Sequence, residues 1–138
     1  MPVVPYQGPL ANRERRLYMP WELNDGRPLY LQLADHIKKD ILSGMYHPGD
    51  KIPSVRELAV LASVNPNTMQ KALTELESLG IIYTNSTAGK YITEDINLLQ
   101  ALRKQTANAE IHIFLSHMQQ IGFSSDDVLL TLQETLEE

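Results

Sequence analysis

Four side chains ending in an amide or a hydroxyl, Asn65, Asn67, Thr68 and Gln70, stand close together, and Lys71 follows them. An amide offers a donor and an acceptor side by side, which suits paired hydrogen bonds to adenine, and a threonine methyl can meet that of thymine. These residues open the stretch 65–80, NPNTMQKALTELESLG. Asn65 is a capping type, Pro66 suits the first helical position and Gly80 is a stop signal. Met69, Ala72, Leu73, Leu76 and Leu79 recur at helical spacing and are expected to face a core. Asn67, Thr68, Gln70, Lys71 and Thr74 are then left outward, as a short, polar, mildly cationic face. The chemistry offered is that of a helix entering the major groove of double-stranded DNA. The plain alternative is a solvated helix face, and capping alone accounts for Asn65.

Other reactive patterns are missing. There is no cysteine, hence no disulfide, thiolate metal site or cysteine nucleophile, which fits a reducing cytosol. His36 and His47 stand alone, and His112 and His117 are spaced by five, a poor fit to one helix face. Asp126 and Asp127 read as helix-start charge. Ser54 and the scattered carboxylates form no catalytic triad, phosphate loop or paired-acid motif. Neither catalysis, a metal nor a cofactor is expected. No apolar run approaches the roughly 20 residues that span a bilayer, and the N-terminus lacks the apolar core of a signal peptide. The expected location is cytoplasmic, without a membrane partner.

With 138 residues, 43% hydrophobic and 21% charged, the chain has the composition of one globular domain with at most an accessory element. Its net charge of −5 argues against a nucleic-acid partner until the charges are located. Up to Asp95 there are ten Lys and Arg against eleven Asp and Glu; beyond it there are two against six. Within 51–92 the four cations Lys51, Arg56, Lys71 and Lys90 outnumber the acids by one. The acid therefore sits in the tail. A nearly neutral face remains compatible with DNA but cannot bind it strongly without sequence specificity.

The elements needed to position the polar face are readable in order. Residues 1–27 form an N-terminal extension with a basic cluster at Arg13, Arg15 and Arg16, as either a mobile tail or a phosphate-contacting arm. Trp21 and Leu23 are the first residues expected to pack. The pattern predicts a helix over 28–43, with Tyr30, Leu33, Ile37 and Ile41 as its stripe and Gly44 as its stop. His47-Pro48-Gly49-Asp50 reads as a type II turn and Lys51-Ile52 as a short strand. A second helix starts at Pro53-Ser54, where Ser54 and Glu57 match a reciprocal capping box. Val55, Leu58, Ala59 and Ala62 make its inner face. Ser63-Val64 links it tightly to the helix at Asn65, which is a helix-turn-helix pattern. Ile81-Ile82-Tyr83 and Tyr91-Ile92-Thr93 predict a β-hairpin around a loop at 84–90, placed as a wing. The expected fold is mainly α with a small β-hairpin wing: a winged helix-turn-helix domain at 28–95 and a C-terminal two-helix element at 96–138. That element reads as one helix over 97–121, with Leu99, Leu102, Ala109, Ile113 and Ile121 among its apolar positions. Gly122 ends it, and a second capping-box signal at 124–127 starts another helix, striped by Val128, Leu129, Leu132 and Leu136. Two such helices cannot close a core alone. They need the winged domain or a second subunit, and a dimer is the expectation.

The stretch 28–82, and above all PGDKIPSVRELA, VNPNT and ELESLGII, resembles the DNA-binding domain of the GntR family of bacterial transcription regulators. The overlap extends to about Thr93, roughly half the chain. The two-helix tail resembles the YtrA subfamily, whose members lack a larger effector-binding domain and are often encoded beside ATP-binding-cassette transporters. The resemblance implies homodimers that bind inverted-repeat operators and usually repress. A small-molecule effector, if there is one, would have to use the dimer interface or the winged domain. In two places the sequence departs from the family pattern. Thr87 stands at one of two usual wing glycines, with Gly89 kept, and Leu73 replaces a frequent tyrosine.

The resemblance implies further DNA contacts. Arg56 sits in a helix's first turn, where the macrodipole disfavours a cation. Matching the family's arginine it would bond phosphate or guanine; the alternative is an ion pair with Glu57 or another carboxylate. Ser54 is a cap whose exposed side could touch phosphate. Gly89 and Lys90 could bring the wing to the minor groove, Lys71 reads as a phosphate contact, and Lys51 reads as an ordinary surface lysine. A rival class is a winged-helix protein-interaction module that never meets DNA. Its surface would present aromatic or aliphatic anchors, whereas the leading edge here is Asn, Asn, Thr and Gln.

Overall fold

A computed structural model of the chain describes residues 21–138; the cluster Arg13, Arg15 and Arg16 lies outside the described residues. Five helices and one hairpin follow in order: α1 (Leu29–Leu42), α2 (Val55–Ala62), α3 (Pro66–Ser78), β1 (Ile82–Asn85), β2 (Gly89–Ile92), α4 (Ile96–Gln120) and α5 (Ser125–Leu136). Two compact units divide between Gln100 and Ala101, within α4. None of the described helices is long and apolar enough to cross a membrane.

In the first unit α1 and α2 both pack on α3. Leu33, Met69, Leu73, Leu76, Ile81, Ile82 and Ile92 are the largest fully buried side chains. Each contributes about 1.5–3 kcal/mol by leaving water, so α3 is held by one stripe while its other side stays free. Leu79 departs from the predicted stripe: it is the C-cap of α3 and 42% exposed, because the helix ends one residue before it. The chain then reverses at Gly80, whose φ of +77° suits glycine.

Local chemistry explains the boundaries. The turn at 47–50 closes through the Asp50 amide to the His47 carbonyl (3.0 Å) with Gly49 at φ +83°. Ser54 caps α2 by accepting the Glu57 amide at 3.2 Å, but the predicted reciprocal bond is replaced: the Glu57 carboxylate accepts the Ser54 hydroxyl at 3.1 Å. At α5 the full box forms, with Asp127 accepting from the Ser124 amide and Ser124 accepting from the Asp127 amide. The Ser124 backbone bond, then its side chain, hold the Asp127 carboxyl below its usual range. The link between α2 and α3 is left-handed at Ser63, φ 55°, a conformation no sequence signal announced.

The hairpin is longer than predicted. Thr84 pairs with Lys90 and Asn85 with Gly89, leaving a three-residue loop. Asn85 closes it by accepting the Ala88 amide on its carbonyl (3.1 Å) and the Thr87 hydroxyl on its side chain (3.1 Å). A loop of this length commonly ends on a residue at positive φ, and Gly89 stands at +110°. The predicted strand at Lys51-Ile52 reduces to a bridge from Lys51 to Tyr91, supported by the Ile52 amide donating to the Lys90 carbonyl.

In the second unit, among the described residues, α4 buries no side chain. Its apolar residues project in several directions, since Ile111 and Ile113 lie about 200° apart on a helix. On α5 Val128 is buried, while Leu129 (60%) and Leu136 (81%) are largely exposed.

Ser63→Gly is expected to relieve the left-handed strain of about 1–2 kcal/mol, less about 0.4–1 kcal/mol of unfolded-state entropy. A melting temperature raised by a few degrees is the outcome that checks this; an unchanged or lower value contradicts it.

Candidate nucleic-acid interface

The outward side of α3 carries the predicted residues together. Asn67, Gln70, Lys71 and Thr74 are exposed and Thr68 is half-buried. Asn65 is committed locally, since its side-chain oxygen accepts the Asn67 amide at 2.7 Å. The Gln70 amide donates to Thr74 Oγ1 at 3.4 Å, and that hydroxyl donates to the Gln70 carbonyl at 3.0 Å. This brace limits the rotamers of Gln70 while its oxygen stays available.

Lys71 has a neighbour that sequence spacing alone did not reveal. Its ammonium lies 4.1 Å from the centroid of the Tyr30 ring at the start of α1, a cation–π contact that holds a long side chain still. Arg56 is exposed and has no ion pair with Glu57 or any other described residue. Among the described residues, then, nothing neutralises the cation on the first turn of α2.

Lys90 is placed differently from a free wing lysine. Its ammonium is hydrogen-bonded to Glu77 at the end of α3 and donates to Thr84 Oγ1 at 2.9 Å, leaving the side chain 15% exposed. Thr84 in turn donates to Glu77 at 2.7 Å. These bonds from Lys90 and Thr84 hold the Glu77 carboxyl below its usual range against the opposing effect of burial. The hairpin register that brings Thr84 and Lys90 side by side was the signal that could have located this network. Tyr83 and Tyr91, paired in the same register, stack at 5.8 Å.

A cleft of about 630 Å³ separates the wing from the start of α2, lined among others by Lys51, Ser54, Glu57, Asn85, Ser86 and Gly89. The histidines have ordinary surroundings where the structure gives them: His36 stacks on Trp21 at 3.8 Å and His47 lies 3.4 Å from Asp50. Among the described residues no group of three or more His, Cys, Asp or Glu could hold a metal ion.

Three helices, a hairpin on the end of the third, and a polar face flanked by cations define a winged helix-turn-helix of the kind that transcription regulators place on DNA. The family model for bacterial regulatory proteins of the gntR family matches residues 29–92. The chain is 34% identical over 108 residues to the uncharacterized HTH-type transcriptional regulator YhcF of Bacillus subtilis, covering 78% of this chain and 89% of that one. It is 50% identical over 68 residues to the HTH-type transcriptional repressor YtrA of the same organism, covering 49% of this chain and 52% of that protein. A solved GntR family transcriptional regulator from Listeria monocytogenes superposes with a TM-score of 0.75 at 38% identity, over 81% of this chain and 98% of that one. The chain belongs to the GntR family of DNA-binding transcription regulators, and its half-identity to YtrA places it with the YtrA subfamily. Both of these relatives are named as transcription regulators.

The Glu77–Lys90 pair has a defined pH dependence. A carboxyl held low in the folded state stabilises the fold above its unfolded value near 4.5, and that stabilisation is lost as pH falls through the lower folded value. Glu77→Gln is therefore expected to lower stability by about 1 kcal/mol at neutral pH. Wild type and variant should converge in acid below both values. Denaturant unfolding across that range checks it, and an equal gap at all pH values contradicts it.

Proposed function

We propose that the protein works in the bacterial cytoplasm as a homodimeric repressor on an inverted-repeat operator, of the kind that governs transporter genes in this subfamily. The observation that carries the reading is the outward side of α3: polar, exposed and free of large apolar anchors, on a helix whose other side is locked in the core. In this reading Asn67, Thr68 and Gln70 contact base edges, with Asn65 shaping the leading turn. Ser54, Arg56 and Lys71 meet phosphates, which position the helix without specifying sequence. Gly89 lets the wing approach the backbone closely, and Lys90 ties the wing to α3.

The second subunit is called for by two features. Few cations are available per chain, so one half-site would be held weakly, and linking two such sites multiplies their affinity. The second unit also leaves Ile111, Ile113, Ile121, Leu129 and Leu136 more than half exposed, distributed around α4 and along α5, and exposed apolar surface of this extent marks interaction sites. A second copy of the same helices is the proposed cover.

Selection of bound duplexes from a random DNA pool is expected to return a sequence with two inverted half-sites. On that duplex Gln70→Ala should change the preferred bases, whereas Lys71→Ala should weaken selected and random duplexes alike and lower the salt slope by about one per bound subunit. Equal losses on both duplexes for both variants would count against the assignment.

A chain ending at Gln100 is expected to keep the circular dichroism of the first unit yet sediment as a monomer and lose tight operator binding. Binding as tight as that of the intact chain would remove the dimerising role from residues 101–138.

A further inference from the structure

We propose that Lys51, and not Lys90, is the lysine with which the wing side of the domain neutralises a DNA backbone phosphate. The inference rests on the DNA-binding reading above and adds to it the identity of the wing's working cation.

Two lysines border the wing. Lys90, the one on the hairpin itself, already has its ammonium on Glu77 and Thr84. Bringing it to a phosphate would break those bonds and leave the partly buried Glu77 carboxylate beside the DNA without its counter-charge. Like charges so placed oppose binding. Lys51 is exposed and has no ion-pair partner among the described residues. It is held at the wing from two sides. Its backbone bridges to Tyr91 of β2, and its side chain runs across Gly89. A Cβ at position 89 would stand 3.0 Å from Lys51 Cε and 3.7 Å from Nζ.

Gly89 thus serves two ends. It takes the φ of +110° that closes the hairpin, and its missing side chain is the bed on which the lysine stem lies. A lysine buries its methylenes on such a surface while keeping the ammonium in water. Lys51 lines the cleft together with the wing-tip residues Asn85 and Ser86, whose side chains are neutral hydrogen-bonding groups suited to phosphate oxygens. Glu57 and Lys90 line the same cleft, but Lys90 is bonded to Glu77, so Lys51 is the lining cation left without a carboxylate among the described residues.

The test is equilibrium binding of the full-length chain at a series of salt concentrations, on a duplex selected from a random pool and on a random-sequence duplex. Four proteins are compared: wild type, Lys51→Met, Lys51→Arg, and the charge-balanced pair Glu77→Gln with Lys90→Met. Each DNA phosphate that a cation neutralises contributes about 0.9 to the slope of log affinity against log salt. Lys51→Met is expected to lower that slope by about 0.9 per bound subunit on both duplexes, with unchanged sequence preference. Lys51→Arg should keep the wild-type slope, and so should the Glu77→Gln and Lys90→Met pair. Lys51→Gln serves as a second replacement if the methionine variant melts abnormally. A wild-type slope in a folded Lys51→Met or Lys51→Gln protein overturns the inference, as does a fall of about 0.9 per bound subunit in the Lys90 pair. If wild type itself shows no salt-dependent binding to either duplex, the DNA reading fails and this inference with it.

Discussion

Helix α3 can present Asn67, Thr68 and Gln70 to a partner only because Met69, Ala72, Leu73 and Leu76 are withdrawn from water on its other side. Rolling the helix by one residue, about 100°, would expose that stripe and bury amides without partners. Both changes cost several kcal/mol, so the roll angle of α3 is as firmly set as the core itself. The first two helices close the stripe, and the hairpin grows from the same helix across Gly80. The geometry of the outward surface is therefore a by-product of apolar packing, and polar residues can change there without endangering the fold.

Charge is handled economically on that scaffold. In the stretch 51–92 four cations face three acids, and the structure assigns them unlike tasks. Lys90 is an internal strut that ties the wing to the end of α3, and Lys71 is steadied over an aromatic ring. Arg56 and Lys51 have no carboxylate among the described residues. A surface this sparsely charged favours discrimination over simple adhesion, because nonspecific binding is nearly all electrostatic.

The sequence foretold most of the scaffold where a local rule acts alone. The caps at Ser54, Asn65 and Ser124 and the glycines at 44, 49 and 80 each mark a boundary through backbone chemistry confined to a few residues. What escaped depended on residues distant in the chain. Glu77 and Lys90 meet only once the hairpin register is known, and Tyr30 reaches Lys71 only once α1 is docked on α3. Lys51 looked like an ordinary surface lysine because its place depends on the hairpin turning back over it. At Ser54 the two capping partners were correctly paired, but a hydroxyl donor is mobile and found the carboxylate itself. Leu79 shows the opposite limit: its helical period was correct, but the helix stopped before that period could bury it.

One modest side chain also ties the segment ahead of the first helix to that helix. Gln32 is buried on α1, accepts the Asn24 amide at 2.8 Å, and donates to the Asn24 and Arg27 carbonyls at 2.7 Å each. Arg27 reaches Asp35, and Trp21 lies flat on His36. The seven residues ahead of Pro28 are thus sewn to the helix that follows them, although no strand or helix marks them as structure. A boundary drawn at the helix would leave a buried amide with no one to answer it.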